Sequence, residues 1–454
     1  MNKTGIIILM SLTLVCKGVA QREMTLEQCK EMAAKNNKKM RLSQCQTEAA
    51  KEQKKEAFTN YFPKISATGL AFKANDDLMN GNVDLSGMES NMGSTLGPAL
   101  ANLGIDPASL PTSVKVSALN KGYMASVMAI QPVYAGGQII NGNKLANIGV
   151  EVAELQEKQA CNEVNAKVEQ YYYTLINLRE KRHTLDTMDK QLTHILADVQ
   201  NYLDAGLCER NDLLNVQLKQ DELKSGMLKL DNGIKITRML LAQQMGMDKD
   251  SFNISEGINS IMETPESQRV NTDSAVSNRT EYKLMDKNIE ANALQTKIKR
   301  GGFLPTVAIG GTVFNYDLAK DLFGESSTGA MVFVSASVPI SDWWGGSHAI
   351  RQMKQEGQIA MLQKEDGEEM LSIQIQQTYN EMEEAYNQLQ VAQHSVTEAK
   401  ENYRLNYDYY KAGTATLTDL LNAESAMQQT LDRQTEAMTT YLIKQGTYQR
   451  AIGN

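Results

Sequence analysis

The sequence predicts an α plus β protein: long coiled-coil helices with four short strands, laid out as two tandem copies of one unit. Three observations predict it. Asp-Leu-Leu-Asn occurs at Asp212–Asn215 and again at Asp419–Asn422, 207 residues on, and each copy follows an Ala-Gly pair, Ala205-Gly206 and Ala412-Gly413. The pairing extends to Tyr61-Phe62-Pro63-Lys64-Ile65 with Gly302-Phe303-Leu304-Pro305-Thr306-Val307, and to Pro132…Gly136-Gly137 with Pro339…Gly345-Gly346. Ordered self-similarity of this kind marks a duplicated scaffold. Second, none of the 8 prolines falls between 133 and 264 or after 339. Those stretches are rich in Glu, Gln, Lys, Leu, Met and Ala, so very long helices are permitted and favoured. Third, Lys64–Phe72, Tyr123–Gln131, Thr306–Tyr316 and Ala330–Pro339 are β-branched and aromatic with little charge, and each has the length of a tilted membrane-spanning strand, about 9–11 residues.

The elements follow in order. Residues 1–20 read as a secretory signal, with Lys3, an apolar run from Gly5 to Val15, and a small-x-small site at Gly18-Val19-Ala20. Cys16 raises lipidation as an alternative, but no small residue stands before it. The first repeat covers residues 21–246. Thr25-Leu26-Glu27-Gln28 is a capping box that opens a helix to about Phe58. A second helix runs from about Gln138 to Asp204, roughly 100 Å at 1.5 Å per residue, and Gly206 ends it. A third runs from about Glu209 to Met245. On it Val216, Leu223, Met227, Leu230, Ile234, Leu241 and Met245 keep the four-and-three spacing of a coiled coil. The Gly/Asn/Ser/Pro-rich insertion Ala74–Lys121 reads as a surface loop, and 247–273 as a linker. The second repeat, 274–454, has helices over about Ser277–Arg300, Gly346–Lys411 and Thr416–Ile452, with Leu420, Met427, Leu431, Met438 and Leu442 in heptad register.

Composition excludes several classes. The formal net charge is −8, and removal of Lys3 and Lys17 with the signal makes it more negative. A nucleic-acid binder needs a basic footprint. No later stretch is apolar for long enough to span a bilayer as a helix. Cys29, Cys45, Cys161 and Cys208 are too few for a disulfide scaffold; Cys29 and Cys45 are expected far apart on one helix, and all four read as small buried hydrophobes. The only histidines, His183, His194, His348 and His394, offer no chelating spacing. No Walker loop, nucleophile elbow, H-E-x-x-H or Cys-x-x-Cys is present. The expectation is a protein that is not an enzyme and needs no cofactor or metal.

Four strands cannot close a membrane barrel, because the smallest bacterial barrels have eight and open edges in lipid leave backbone groups unsatisfied. Strands in a membrane would have to be pooled between copies, and three chains would give twelve. Helices of this length exceed any bilayer and must stand in water. The residues behind this reading also carry a resemblance that covers nearly all of the chain after the signal. Leu26-Glu27-Gln28-Cys29 with Asn36-Asn37, the joints Phe62-Pro63 and Leu304-Pro305, the turns Tyr134-Ala135-Gly136-Gly137 and Asp342-Trp343-Trp344-Gly345-Gly346, and the tips Ala205-Gly206-Leu207 and Ala412-Gly413-Thr414 resemble the TolC-type outer-membrane factors. The resemblance implies a homotrimer with a twelve-stranded transmembrane β-barrel in the outer membrane, continued by a periplasmic α-helical coiled-coil barrel. It also implies a periplasmic adaptor and an inner-membrane transporter as partners, in efflux or type I secretion. The competing reading is a soluble periplasmic coiled-coil scaffold whose apolar segments are ordinary hairpins.

Site residues follow from the same resemblance. The position of Asp419 lines the periplasmic constriction, and Asn422 stands where many relatives carry a second acid. The alternative for Asp419 is a capping acid in Thr416-Leu417-Thr418-Asp419, and the two roles are compatible. Asp212 and Tyr410 match positions that latch the closed tip. The latch arginine aligns with Ala415, which cannot serve, and Arg210 is the nearby candidate. Gly206, Leu207, Gly413 and Thr414 would form the turns where the adaptor docks, with the glycines left-handed. Trp343 and Trp344 read as an aromatic belt at a membrane interface.

Overall fold

The computed structural model describes residues 22–75, 79–84, 113–118, 121–248, 252–255, 263–317 and 326–453. The signal segment with Cys16, and most of the insertion after Ala74, lie outside the described residues. The helices are α1 Leu26–Asn36, α2 Lys38–Thr59, α3 Gln138–Asp204, α4 Arg210–Met245, α5 Thr272–Asn278, α6 Thr280–Gly301, α7 Asp342–Lys411 and α8 Leu417–Ala451. The strands are β1 Arg22–Met24, β2 Lys64–Lys73, β3 Met79–Asp84, β4 Ser113–Ala118, β5 Lys121–Ala135, β6 Phe252–Ile254, β7 Thr306–Asp317 and β8 Ser327–Ser337. The chain forms two compact units, one of Met1–Lys51, Ile148–Glu290 and Gln358–Asn454, the other of Glu52–Asn147 and Ala291–Gly357.

The first unit is helical. Its cores are seams between helix faces. The α4 heptad residues Val216, Leu223, Leu241 and Met245 are buried, and they meet Leu185, Leu192 and Val199 or Val168, Leu175 and Ile176 of α3. The α8 residues Leu420, Met427 and Leu442 are buried in the same way, and Ile375, Met382 and Leu389 of α7 join Tyr441 and Tyr448 of α8 in a third cluster. Each fully buried aliphatic side chain contributes about 1.5–3 kcal/mol, so these seams dominate the stability of the helices. One buried charge sits among them. Glu169 of α3 accepts from Lys30 of α1 at 2.8 Å and from Arg450 of α8, so its carboxylate is compensated on both oxygens.

Three expectations need correction here. The helix expected from Thr25 to Phe58 is two helices. Its capping box forms as read, with Gln28 and Thr25 bonded reciprocally, but Asn37 leaves the helix with ψ 135. The buried Asn37 side chain explains the break: Oδ1 accepts from the Lys39 amide at 2.7 Å and Nδ2 donates to the Gln244 carbonyl at 2.8 Å. Cys29 and Cys45 therefore lie on different helices; all four cysteines are free, and Cys45 is exposed rather than buried. The helix expected from Ser277 is likewise preceded by α5 and broken at Arg279, ψ 142, whose guanidinium is bound by Glu281 and Gln374. Finally, the segment 247–273 is more than a linker. Its β6 pairs in parallel with β1, burying Phe252 and Ile254, and a 3-10 turn at Pro265–Gln268 and the start of α5 follow.

The second unit holds an antiparallel meander in the order β2-β5-β7-β8. Pro132 and Tyr134 flank a bulge in β5 opposite β7, the usual way a strand with a proline stays in a ladder. The insertion expected to be all loop contributes a further ladder, β3 with β4, pairing Met79 with Ala118 and Asp84 with Ser113. Gly301 and Gly136 meet at the strand ends, where a Cβ on Gly136 would lie 2.1 Å from the Gly301 carbonyl oxygen. Two further glycines sit under rings. Gly310 faces Phe333 and Gly329 faces Phe314, each the cross-strand partner, and a Cβ at either would strike the ring.

Candidate functional site: the hairpin turns and the sheet face

The helical unit contains two hairpin turns with one geometry. α3 ends at Gly206, φ 69, and α7 at Gly413, φ 70. In the first turn the Leu207 amide donates to the Tyr202 carbonyl and the Gly206 amide to Leu203; in the second, Thr414 donates to Tyr409 and Gly413 to Tyr410. Both are six-to-one, five-to-two closures of a helix C-terminus that need a left-handed residue at the glycine. No atom lies within 4 Å of a Cβ built on either glycine, so the constraint is conformational, not steric. Leu207 is 75% exposed at its turn.

Both following helices open on acidic caps. Asp419 accepts from the Thr416 amide at 3.1 Å and from the Thr416 hydroxyl at 2.6 Å, while its own amide donates to Thr416 Oγ1. The Thr416 hydroxyl, then the Thr416 amide, hold its carboxyl below the usual aspartate range. Asp212 accepts from the Glu209 amide at 3.3 Å. Asp419 and Asn422 are both exposed. Tyr410 is half-buried, edge-on to Tyr202 with ring centroids 6.3 Å apart, and burial pushes its hydroxyl up to about 12. No hydrogen bond joins Tyr410 to Asp212 among the described residues, and Arg210 stands exposed with no ion-pair partner among them.

The sequence reading missed a cation that ties the hairpins beside their turns. Lys411, the last residue of α7, binds Asp198 of α3 at 2.5 Å and lies over the Tyr407 ring. Its position, two residues before the motif Gly413-Thr414-Ala415, is the available signal. Glu424 was missed as well. It is 2% exposed in the seam between α8, α7, α4 and α3, and neither carboxylate oxygen has a hydrogen-bond partner. Burial pushes it up to about 7, against the pull of Lys219 on α4.

In the second unit the cross-strand register sorts the sheet into two faces. Ile65, Ala67, Val127, Ala129, Ile309, Val313, Val332 and Val334 share one face. It is apolar and solvent-facing, with Val332 80% and Ile65 72% exposed. Ser66, Thr68, Ser126, Thr312, Ser335 and Ser337 lie on the other, interleaved with Leu70, Met128, Ile130, Phe314, Met331 and Phe333. A soluble antiparallel sheet covers one of its faces; here apolar side chains stand exposed on both, Leu70 and Met331 of the second face being 56% and 51% exposed. The outer edges of β2 and β8 have no strand partner among the described residues. At one end of the sheet the joints expose Phe58, Tyr61, Phe62, Tyr134, Ile340, Trp343 and Trp344, and Trp343 Nε1 donates to the Phe303 carbonyl at 2.8 Å.

Comparison with known proteins agrees with this geometry. Residues 272–454 match the family model described as outer membrane efflux protein. This C-terminal stretch is similar to the outer membrane efflux proteins. No curated protein matches the sequence. Among solved structures, the chain is similar to the outer membrane protein VceC from Vibrio cholerae, with a TM-score of 0.73 at 13% identity over 94% of this chain and 96% of that one. It is also similar to the CmeC outer membrane channel of Campylobacter jejuni, TM-score 0.74 at 15% identity, covering 94% of this chain and 85% of that one. The open state of the Neisseria gonorrhoeae MtrE outer membrane channel matches at TM-score 0.69 and 13% identity, over 94% and 89%. At these identities the likeness establishes the fold. No helix among the described residues is long and apolar enough to cross a membrane.

Proposed function

We propose that the chain is the outer-membrane channel-tunnel of a tripartite efflux or type I secretion system. It passively conducts substrates delivered by an inner-membrane transporter through a periplasmic adaptor. The observation that carries the proposal is the β2-β5-β7-β8 sheet, which exposes an aliphatic face and has no strand partner at either outer edge among the described residues. Backbone groups at such edges cannot remain open in lipid. Three copies placed edge to edge close twelve strands around the face that carries the Ser and Thr hydroxyls, and cyclic symmetry completes the tunnel with the long helices in the periplasm. The two tandem halves, 21–246 and 274–454, each supply two strands and one helical hairpin.

The turns Gly206-Leu207 and Gly413-Thr414 are the adaptor-docking tips, which the exposed Leu207 supports. Asp419, with the neutral Asn422 one turn on, lines the constriction, and Asp212, Tyr410 and Arg210 belong to the tip gate. A ring of three Asp419 carboxylates would favour cations. A soluble coiled-coil scaffold is the poorer reading, since it leaves the apolar sheet face in water without a partner. Planar-bilayer recording on purified protein tests the proposal: discrete, passive, cation-selective conductance is expected, and a protein that partitions into buffer without detergent and never conducts would end it.

A further inference from the structure

The joint end of the sheet carries a charge pattern opposite to that of the chain. The whole protein is acidic at −8. Yet the helix ends that meet at the joint are basic. Lys54 and Lys55 lie one turn before the last turn of α2, Lys144 lies in the second turn of α3, and Lys299 with Arg300 closes α6. Arg351 follows on the third turn of α7. All are exposed. The acids near the same joint are fewer, Glu52, Glu56 and Asp342, and Glu52 is already paired with Lys55.

These ends are neighbours in space. Asn143 Nδ2 donates to the Ala57 carbonyl at 3.0 Å, Gln131 Nε2 to Tyr61 at 3.1 Å, and Gly136 abuts Gly301. The basic groups thus form a band on the helix side of the exposed collar of Phe62, Tyr134, Trp343 and Trp344, the last 82% exposed. Aromatic side chains settle at headgroup depth, so cations one to two turns beyond them, about 5–11 Å along a helix, have side chains long enough to reach the phosphates.

We infer that this band is a binding surface for anionic phospholipid, and that the leaflet on the helical side is held by charge as well as by the apolar face. The inference rests on the membrane reading above. Its partner is the phosphodiester headgroup of a lipid carrying net negative charge, in preference to a zwitterionic one. Lys299, Arg300 and Arg351 supply the attraction, and the collar supplies the depth.

The molecule contains its own probe, because its 2 tryptophans are Trp343 and Trp344. Full-length protein is reconstituted into bilayers containing brominated phosphatidylglycerol or brominated phosphatidylcholine at equal mole fraction, and tryptophan quenching is read. The expected result is apparent binding of the anionic lipid about threefold to tenfold tighter. The preference should vanish in 0.5 M salt, where the Debye length falls to about 4 Å, and in Lys299→Gln/Arg300→Gln/Arg351→Gln. Equal quenching by the two lipids in low salt, or a preference that survives both salt and the triple substitution, overturns the inference. Absence of quenching by either lipid overturns the membrane reading beneath it instead.

Discussion

Asp419 and Glu424 lie little more than one turn apart on α8 and meet opposite environments. Asp419 is exposed and held charged by Thr416; Glu424 is buried and held towards its neutral form. An acid whose folded pKa is raised binds more protons folded than unfolded, so stability falls as pH rises between the ordinary glutamate value near 4.5 and about 7. The groups facing Glu424 are Lys219 from α4 and Tyr403 from α7; α3 presents no titratable side chain to it among the recorded interactions. Glu424→Gln should remove that pH slope and gain on the order of 2–3 kcal/mol at pH 8 relative to pH 4.5. Melting temperatures across that range check it, and an unchanged slope contradicts it. Asp419→Ala should lower the melting temperature by loss of the cap and also reduce cation selectivity in bilayers. Unchanged selectivity would leave Asp419 a cap alone. Gly413→Val should abolish export while the protein still assembles, because φ 70 is costly for a β-branched residue. The cap was legible in Thr-x-x-Asp, which is local. The burial of Glu424 was not, because it depends on helices distant in sequence.

At the scale of elements, the heptads fixed which faces of α4 and α8 are covered, and proline absence fixed how long α3 and α7 run. The breaks at Asn37 and Arg279 were hidden for a physical reason. Asn37 is satisfied by Gln244 and Arg279 by Gln374, partners that only the folded chain brings near. The cross-hairpin tie was hidden likewise: the family pattern pointed to position 415, while the cation sits at Lys411 and pairs with Asp198. Lys411→Met should therefore let the two hairpins separate at their turns. Single-channel conductance of the variant should rise, and conductance identical to the parent would show that this pair does not restrain the tip. Replacement of Leu420, fully buried between the hairpins, by alanine should cost about 2–5 kcal/mol in thermal or denaturant unfolding of the helical unit.

At the scale of the molecule, the four strands were visible as short uncharged segments at matching places in the two halves. Their alternation was only partial on inspection, since glycine and alanine occupy both faces. The cross-strand register sorts it in part: Ile65, Val127, Ile309, Val313, Val332 and Val334 gather on one face, while the other interleaves hydroxyls with Leu70, Met128, Ile130, Phe314 and Phe333. Two strand edges without partners among the described residues, and an exposed aliphatic face, are what copies of the chain and a membrane would satisfy. The central claim is therefore assembly in a membrane. The most direct measurement is the mass of the detergent-extracted protein by size-exclusion chromatography with light scattering. The account predicts a single species of three times the chain mass, found only in the membrane fraction. A monodisperse monomer that remains soluble without detergent would contradict it.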